Sequence, residues 1–498
     1  MQALSTRRIS VVVEGRRTKP VHGRHIGGWV TALLAIASLA AGAQDAPPDT
    51  RILDAASVAD AAGVDALLAQ GVDANVPQAD GATALHWAAH FDATSMATAL
   101  IRSGAVVDPV NDFGVTPLWL ACLNGSADMV EVLLTAGADA NHSLPSGETV
   151  LMTAARSGSA EAVGLLAARG ANLDAQEQSR GQTALMWAVA QQHPDVVATL
   201  VDLGADVHAR SNPLPRRIHT RTAGFNPVGV IDIVQGGYTP MLFAARQGDL
   251  DAATYLVAAG GDVNDTAPSG TSALVVAAHG GHTALATYLL EHGADPDAAE
   301  AGYSALHAAT LRGDEALVTA LLAGGASPNA LVVTGSPGRR NSPDYVLEHD
   351  VVGATAFWLA AQFSEPRIMR VLADRGANQR VVMPGGTTSL MAATSARRRT
   401  EPGLTPNRVE NERLVLESVR VAVEVGVDVN AVDDAGNTAL HTAASRRLDT
   451  VVQFLADSGA NLNAYNEEGQ TPLTMAAGRG DAEDNATVEL LRRLGAEI

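Results

Sequence analysis

His86 and His90 stand four residues apart, a spacing that puts two imidazoles on one face of a helix and supplies two of the ligands a zinc site needs. No third ligand accompanies them. His279 and His282 form a second close pair, at a Gly-His turn between two helical segments. Asp262-Val-Asn264-Asp265 opens like a calcium loop but lacks the later Gly and Glu that such loops require. Cys122 is the only cysteine, so no internal disulfide forms, and it lies in an apolar run where a thiol behaves as a small hydrophobe. The chain has no Gly-rich phosphate loop, no Gly-x-Ser-x-Gly elbow, no His-Glu-x-x-His and no cysteine pair. The expectation is therefore no metal, no cofactor, no catalytic set and no enzyme.

What must position these residues is a repeat. Gly81, Gly114, Gly147, Gly181, Gly237, Gly270, Gly302, Gly353, Gly386, Gly436 and Gly469 are each followed two residues later by Thr or Ser and then by a short apolar run. Their spacings are 33, 33, 34, 56, 33, 32, 51, 33, 50 and 33 residues. A fixed period of this size signals stacked supersecondary units that present a surface in place of a single deep pocket. In one unit Thr116 is an expected N-cap, Pro117 suits the first helical position, and a helix over Leu118–Leu123 ends at Asn124-Gly125. A second helix from Ala127 to Thr135 carries Val130, Leu133 and Leu134 at helical spacing, and Gly137 supplies a left-handed stop. A glycine recurs at that stop from Gly71 to Gly495, twelve times against eleven starts, so one further helix pair is expected at the front, from Ile52.

These residues resemble the ankyrin repeat: Gly-x-Thr-Pro-Leu-His-x-Ala-Ala, then Leu-Leu-x-x-Gly-Ala, then Asp-x-Asn, with Gly436-Asn-Thr-Ala-Leu-His-Thr-Ala-Ala a close match. The resemblance implies an all-α ankyrin repeat solenoid of helix-turn-helix units with projecting β-turn or hairpin fingers. About eleven repeats over 81–498 follow a capping repeat over 52–80, and the array is interrupted near 213–235, 336–352 and 397–413. The first two interruptions lengthen fingers; the third separates the two helices of one repeat. His86 is the resemblance's structural histidine. Only His86, His307 and His441 keep that residue, so the hydrogen bonds it makes between units are expected at three places, with apolar packing elsewhere.

Residues 1–43 differ in kind. Six bases precede an apolar stretch from Trp29 to Ala41, and Ala41-Gly42-Ala43 has the form of a signal-peptidase site, so a signal peptide and a mature start at Gln44 are expected. Without those residues 28 arginines face 53 acids, a net charge of −25 that disfavours nucleic acid and anionic lipid. The expected location is periplasmic or secreted, in a bacterium, with no membrane span in the mature chain. A retained leader would instead give an anchored envelope component.

The resemblance also implies a protein partner, bound by a monomer through fingers and a concave face. The position after the structural histidine is expected to face solvent there, which nominates Trp87, Leu120, Trp187, Phe243 and Leu359. The competing expectation is that these side chains fold onto neighbouring repeats. In the long fingers Arg216, Arg217 and Phe225, and Arg339, Arg340 and Tyr345, stand out against the acidic repeats and suit an acidic segment or a phosphate. An enzymatic alternative would draw on His219, Asp232, Asp344, Glu348, His349 and Asp350 of the same insertions.

Overall fold

The computed structural model describes residues 49–220, 229–334, 336–337, 347–348, 351–396, 408–478 and 486–497. The chain divides into two compact units, one running to Leu214 and resuming over Gly236–Asp262, the other holding Pro215–Gln235 and Val263 onward. Both are tandem helix pairs, as the all-α solenoid expectation requires.

Among the described residues the first unit holds six pairs: Arg51–Ser57 with Ala61–Ala69, Ala84–His90 with Thr94–Arg102, Pro117–Asn124 with Ala127–Thr135, Val150–Ser157 with Ala160–Ala168, Ala184–Ala190 with Pro194–Asp202, and Pro240–Gln247 with Leu250–Ala258. The second unit also holds six. They are Ala273–Gly280 with Thr283–Glu291, Ala305–Arg312 with Glu315–Ala323, Ala356–Gln362 with Pro366–Asp374, Ser389–Ser395 with Arg408–Glu424, Ala439–Ser445 with Asp449–Asp457, and Pro472–Ala477 with Ala486–Leu494.

The local chemistry repeats with the period. Thr116 Oγ1 accepts from the Trp119 amide at 3.2 Å, and Pro117 occupies the first turn, where its missing N–H removes no bond. The helix ends at Gly125, whose φ of 70° is left-handed, and Ser126 caps the next helix through the Met129 amide at 3.2 Å. All twelve stop glycines have positive φ. At the turn between the two helices, five pairs place a non-glycine residue in the left-handed region: Ala59, Asp92, Gln192, Ser364 and Arg447. Each carries strain that glycine would not.

First helices are short, alanine-rich and buried nearly all round; second helices bury one stripe, such as Met129, Val130, Leu133 and Leu134. Fingers connect the pairs. In three, an Asx side chain closes the turn before the helix: Asn111 Oδ1 accepts from the Phe113 and Val115 amides at 3.0 and 2.9 Å, Asp433 Oδ1 from Ala435 and Asn437 at 3.0 and 2.8 Å, and Asn466 Oδ1 from Glu468 and Gln470 at 3.1 and 2.8 Å. The finger before Gly181 is one residue longer, which gives the spacing of 34. There the closing residue is Glu177, one methylene longer, whose carboxylate accepts from the amides of Ser179, Arg180 and Gln182 at 2.7, 2.7 and 3.1 Å. Side-chain length matches turn length.

The first insertion forms β1 (Leu214–Thr220) and β2 (Gly229–Gln235), paired with each other. At its base, Ser211 N–H donates to Tyr238 O at 3.0 Å and Tyr238 N–H to Ser211 Oγ at 2.9 Å. The second contains β3 (Ser336–Pro337) and β4 (Leu347–Glu348), antiparallel, with Ser336 opposite Glu348. The third is shorter than expected as a loop: the second helix of that repeat already begins at Arg408 and runs 17 residues to Glu424. Arg413 stabilises this added turn, pairing with Glu410 at 2.7 Å and with Glu417.

Candidate protein-binding surface

The structural histidines tie neighbouring repeats together. His86 Nδ1 accepts from the Thr83 amide at 3.0 Å, which leaves the proton on Nε2 to donate to Val115 O at 3.1 Å. His307 does the same between Ser304 N and Ala330 O, and His441 between Thr438 N and Gln470 O. With both ring nitrogens of His86 engaged inside the chain, the His86/His90 pair presents no metal site, and no cluster of three ligating side chains occurs among the described residues. Burial holds all three imidazoles below their ordinary value, against the opposing pull of the carbonyl bond, and takes His307 to about 4. Where the histidine is replaced, the substitution is more varied than apolar packing. Trp358 Nε1–H donates to Thr387 O of the next repeat at 3.4 Å, and Thr474 Oγ1 accepts from the Thr471 amide at 2.8 Å. Burial also pushes the Cys122 thiol up, which makes it a poor nucleophile.

The helix row expected to face solvent is mostly closed within the chain. Trp87, Leu120, Phe243 and Leu359 are at most 7% exposed, a correction to the solvent-facing expectation. Trp87 donates from Nε1 to Gln78 Oε1 of its own finger at 3.1 Å and stacks on Phe91 at 5.8 Å. Phe243 lies edge-on to Tyr238 at 5.8 Å. A helix of two turns, flanked by a helix on each side and by a finger, keeps little face free. Trp187 alone of the five is half-buried, with the Arg156 guanidinium 5.1 Å from its ring centre and Arg156 held by Glu148 at 3.1 Å.

Of the insertion residues nominated from sequence, Arg217 is exposed on β1 and Arg216 belongs to the same strand. Phe225, Arg339, Arg340 and Tyr345 lie outside the described residues. The large exposed apolar side chains sit elsewhere. Eleven of the fifteen among the described residues fall between a second helix and the next first helix: Val106, Val110, Phe113, Leu203, Leu214, Val234, Leu331, Val333, Val382, Val432 and Tyr465. For five of them, Val110, Leu331, Val382, Val432 and Tyr465, the signal was present in the period, six residues after the stop glycine, but on the finger and not on the helix.

Family models described as ankyrin repeats in three copies match residues 52–143, 136–211 and 231–331, and one described as ankyrin repeats in many copies matches 423–476. No curated protein matches the chain. Among solved structures, the human ASB11 ankyrin repeat domain is similar at 28% identity, over 51% of this chain and 100% of that one, with a TM-score of 0.40. Among the described residues no helix is long and apolar enough to cross a membrane. Ankyrin repeats are in general protein–protein interaction modules, and the extent of the match, with twelve in-register helix pairs behind it, makes this chain a member of the ankyrin repeat family.

Proposed function

We propose that this protein is a non-catalytic scaffold, exported to the periplasm or beyond by its leader, that holds a partner protein through its finger-bearing side. The observation that carries this is the concentration of exposed large apolar side chains on fingers, in a chain whose described helices expose only Tyr255 and Val409. Exposed apolar residues cost solubility unless something covers them. The long insertions enlarge the same kind of segment, and their arginines would choose the charge of what is bound. Cleavage after Ala43 would release the protein as a soluble monomer. Two measurements test this. N-terminal sequencing of the exported protein is expected to begin at Gln44; an intact leader would make it an anchored component. Affinity purification from the envelope fraction is expected to recover a specific protein with the full chain and to lose it when residues 213–235 and 336–352 are deleted. Equal recovery from both would remove the insertions from the reading, and turnover abolished by Asp350→Asn or His349→Gln would replace it with an enzyme.

A further inference from the structure

We infer that the last four fingers of the second unit form a docking track for an extended, basic segment of a partner protein, with an apolar side chain at every third position and a polyproline II backbone. This rests on the protein-binding proposal above and names the partner's chemistry.

Leu331, Val382, Val432 and Tyr465 occupy one position of the period, six residues after Gly325, Gly376, Gly426 and Gly459, and are 49, 56, 56 and 66% exposed. The four fingers are consecutive and held in register. Asn329 Nδ2 donates to Gly376 O at 3.2 Å while its Oδ1 accepts from Asn378 N–H at 2.6 Å. Asn430 repeats this with Gly459 O at 3.0 Å and Asn461 N–H at 2.7 Å, and Asp434 N–H donates to Gly385 O at 3.0 Å. The four side chains therefore follow one another at the stacking distance of packed helices, about 8–10 Å. A polyproline II strand returns the same face every three residues, about 9 Å. A β-strand alternates faces at each residue, so its same-face positions fall at about 7 and 13 Å and drift out of step with the row. The spacing selects the first conformation.

Charge selects the rest. Asp428 and Asp434 flank Val432, Glu467 and Glu468 follow Tyr465, and all four are exposed; among the described residues Arg380 is the one base within four positions of a row residue. A segment with arginine or lysine between its apolar residues would meet four carboxylates on the two fingers nearest the C-terminus.

The test uses the full chain and a fluorescein-labelled peptide, (Leu-Pro-Arg)4, read by fluorescence anisotropy. Saturable binding is expected. It should weaken at least tenfold with (Ser-Pro-Arg)4, which keeps charge and backbone, and vanish with (Leu-Pro-Glu)4. The triple variant Val382→Ser, Val432→Ser and Tyr465→Ser is expected to lose at least tenfold in affinity with an unchanged melting curve, since all three side chains are more than half exposed. Val110→Ser, at the same position in the first unit, should bind as the parent does. No binding of (Leu-Pro-Arg)4, equal binding of (Leu-Pro-Glu)4, or indifference to the triple variant overturns the inference. If the peptide fails while the finger deletions still abolish envelope capture, the scaffold proposal stands and only the partner class falls.

Discussion

The two units share a backbone and differ on its fingers. At the position six residues after the stop glycine, the first unit carries Pro77, Val110, Ser143, Gln176 and Arg210, all exposed, while the last four fingers of the second carry Leu331, Val382, Val432 and Tyr465. Helix caps and stop glycines are the same in both, and each unit has a finger closed by an Asx side chain, at Asn111 in the first and at Asp433 and Asn466 in the second. Residues that build the repeat are thus fixed by conformation or burial, and this position is fixed by neither. Its content is free to record what each stretch of surface meets, and only the second unit records an apolar row.

The comparison predicts that disturbing a backbone-setting position costs far more than disturbing the row, and the costs can be ordered. The largest belongs to Gly386→Ala. Gly386 has φ +79°, and an added Cβ would lie 2.8 Å from Asp433 Cα in the next finger, so strain and steric clash combine. A loss of about 2–5 kcal/mol in urea unfolding is expected. Gly137→Ala, at φ +101° with open space around it, should lose only the conformational part, about 1–2 kcal/mol. If the two cost the same, finger contact does not set the repeat.

Acid comes next. An unfolded imidazole takes a proton near its ordinary value, whereas folded His307 resists until about pH 4, because burial disfavours the charge. Between those values the unfolded chain binds more protons. Stability is therefore full above the ordinary value and falls with pH, by roughly 3 kcal/mol for this histidine by the time pH 4 is reached. Denaturant midpoints measured from pH 7 to 4 should flatten in His307→Gln, at a lower starting stability. Unaltered steepness would mean the histidine is not the group that titrates.

Glu177→Ala tests the long finger of the first unit. It leaves the amides of Ser179, Arg180 and Gln182 without their acceptor, a cost of about 1–3 kcal/mol. Burial alone would raise this carboxyl, but its bonds from Ser179, Gln182 and Arg180 win and hold it below the usual range. Its contribution should hence persist above the ordinary glutamate value and disappear as pH falls through the lowered one. Glu177→Asp, a methylene short of this turn, is expected to rescue little. The smallest effect is a gain. Gln192, exposed with φ 59°, stands where the second unit has Gly281 and Gly313 in the corresponding turns. Gln192→Gly should raise the melting temperature by an amount equivalent to at most about 1 kcal/mol.

The period, the caps and both helices of the unit beginning at Gly114 were legible from sequence to within a residue, because each rests on a local rule that needs no knowledge of neighbours. The exposure of Trp87 was not. Its cover comes from Gln78, nine residues earlier in the finger, and Phe91 in the following turn, contacts that a helical wheel does not represent. The extension of the helix back to Arg408 was hidden for the opposite reason. Arg408–Arg413 is charged and offers no apolar stripe, and its helicity draws on ion pairs along its own surface. The apolar finger row was visible in the letters but lay on a segment judged by its turn residues alone.

The ladder of Asn side chains that keeps fingers in register also sets how the second unit comes apart. Asn329 and Asn430 each bind two backbone groups of the following repeat, but the residue at that place between them is Arg380, which accepts no such bond. A zipper with one missing tooth opens there first. Amide exchange under native conditions should accordingly divide the unit at Arg380, with residues from Arg408 onward exchanging as one block before the repeats that precede it.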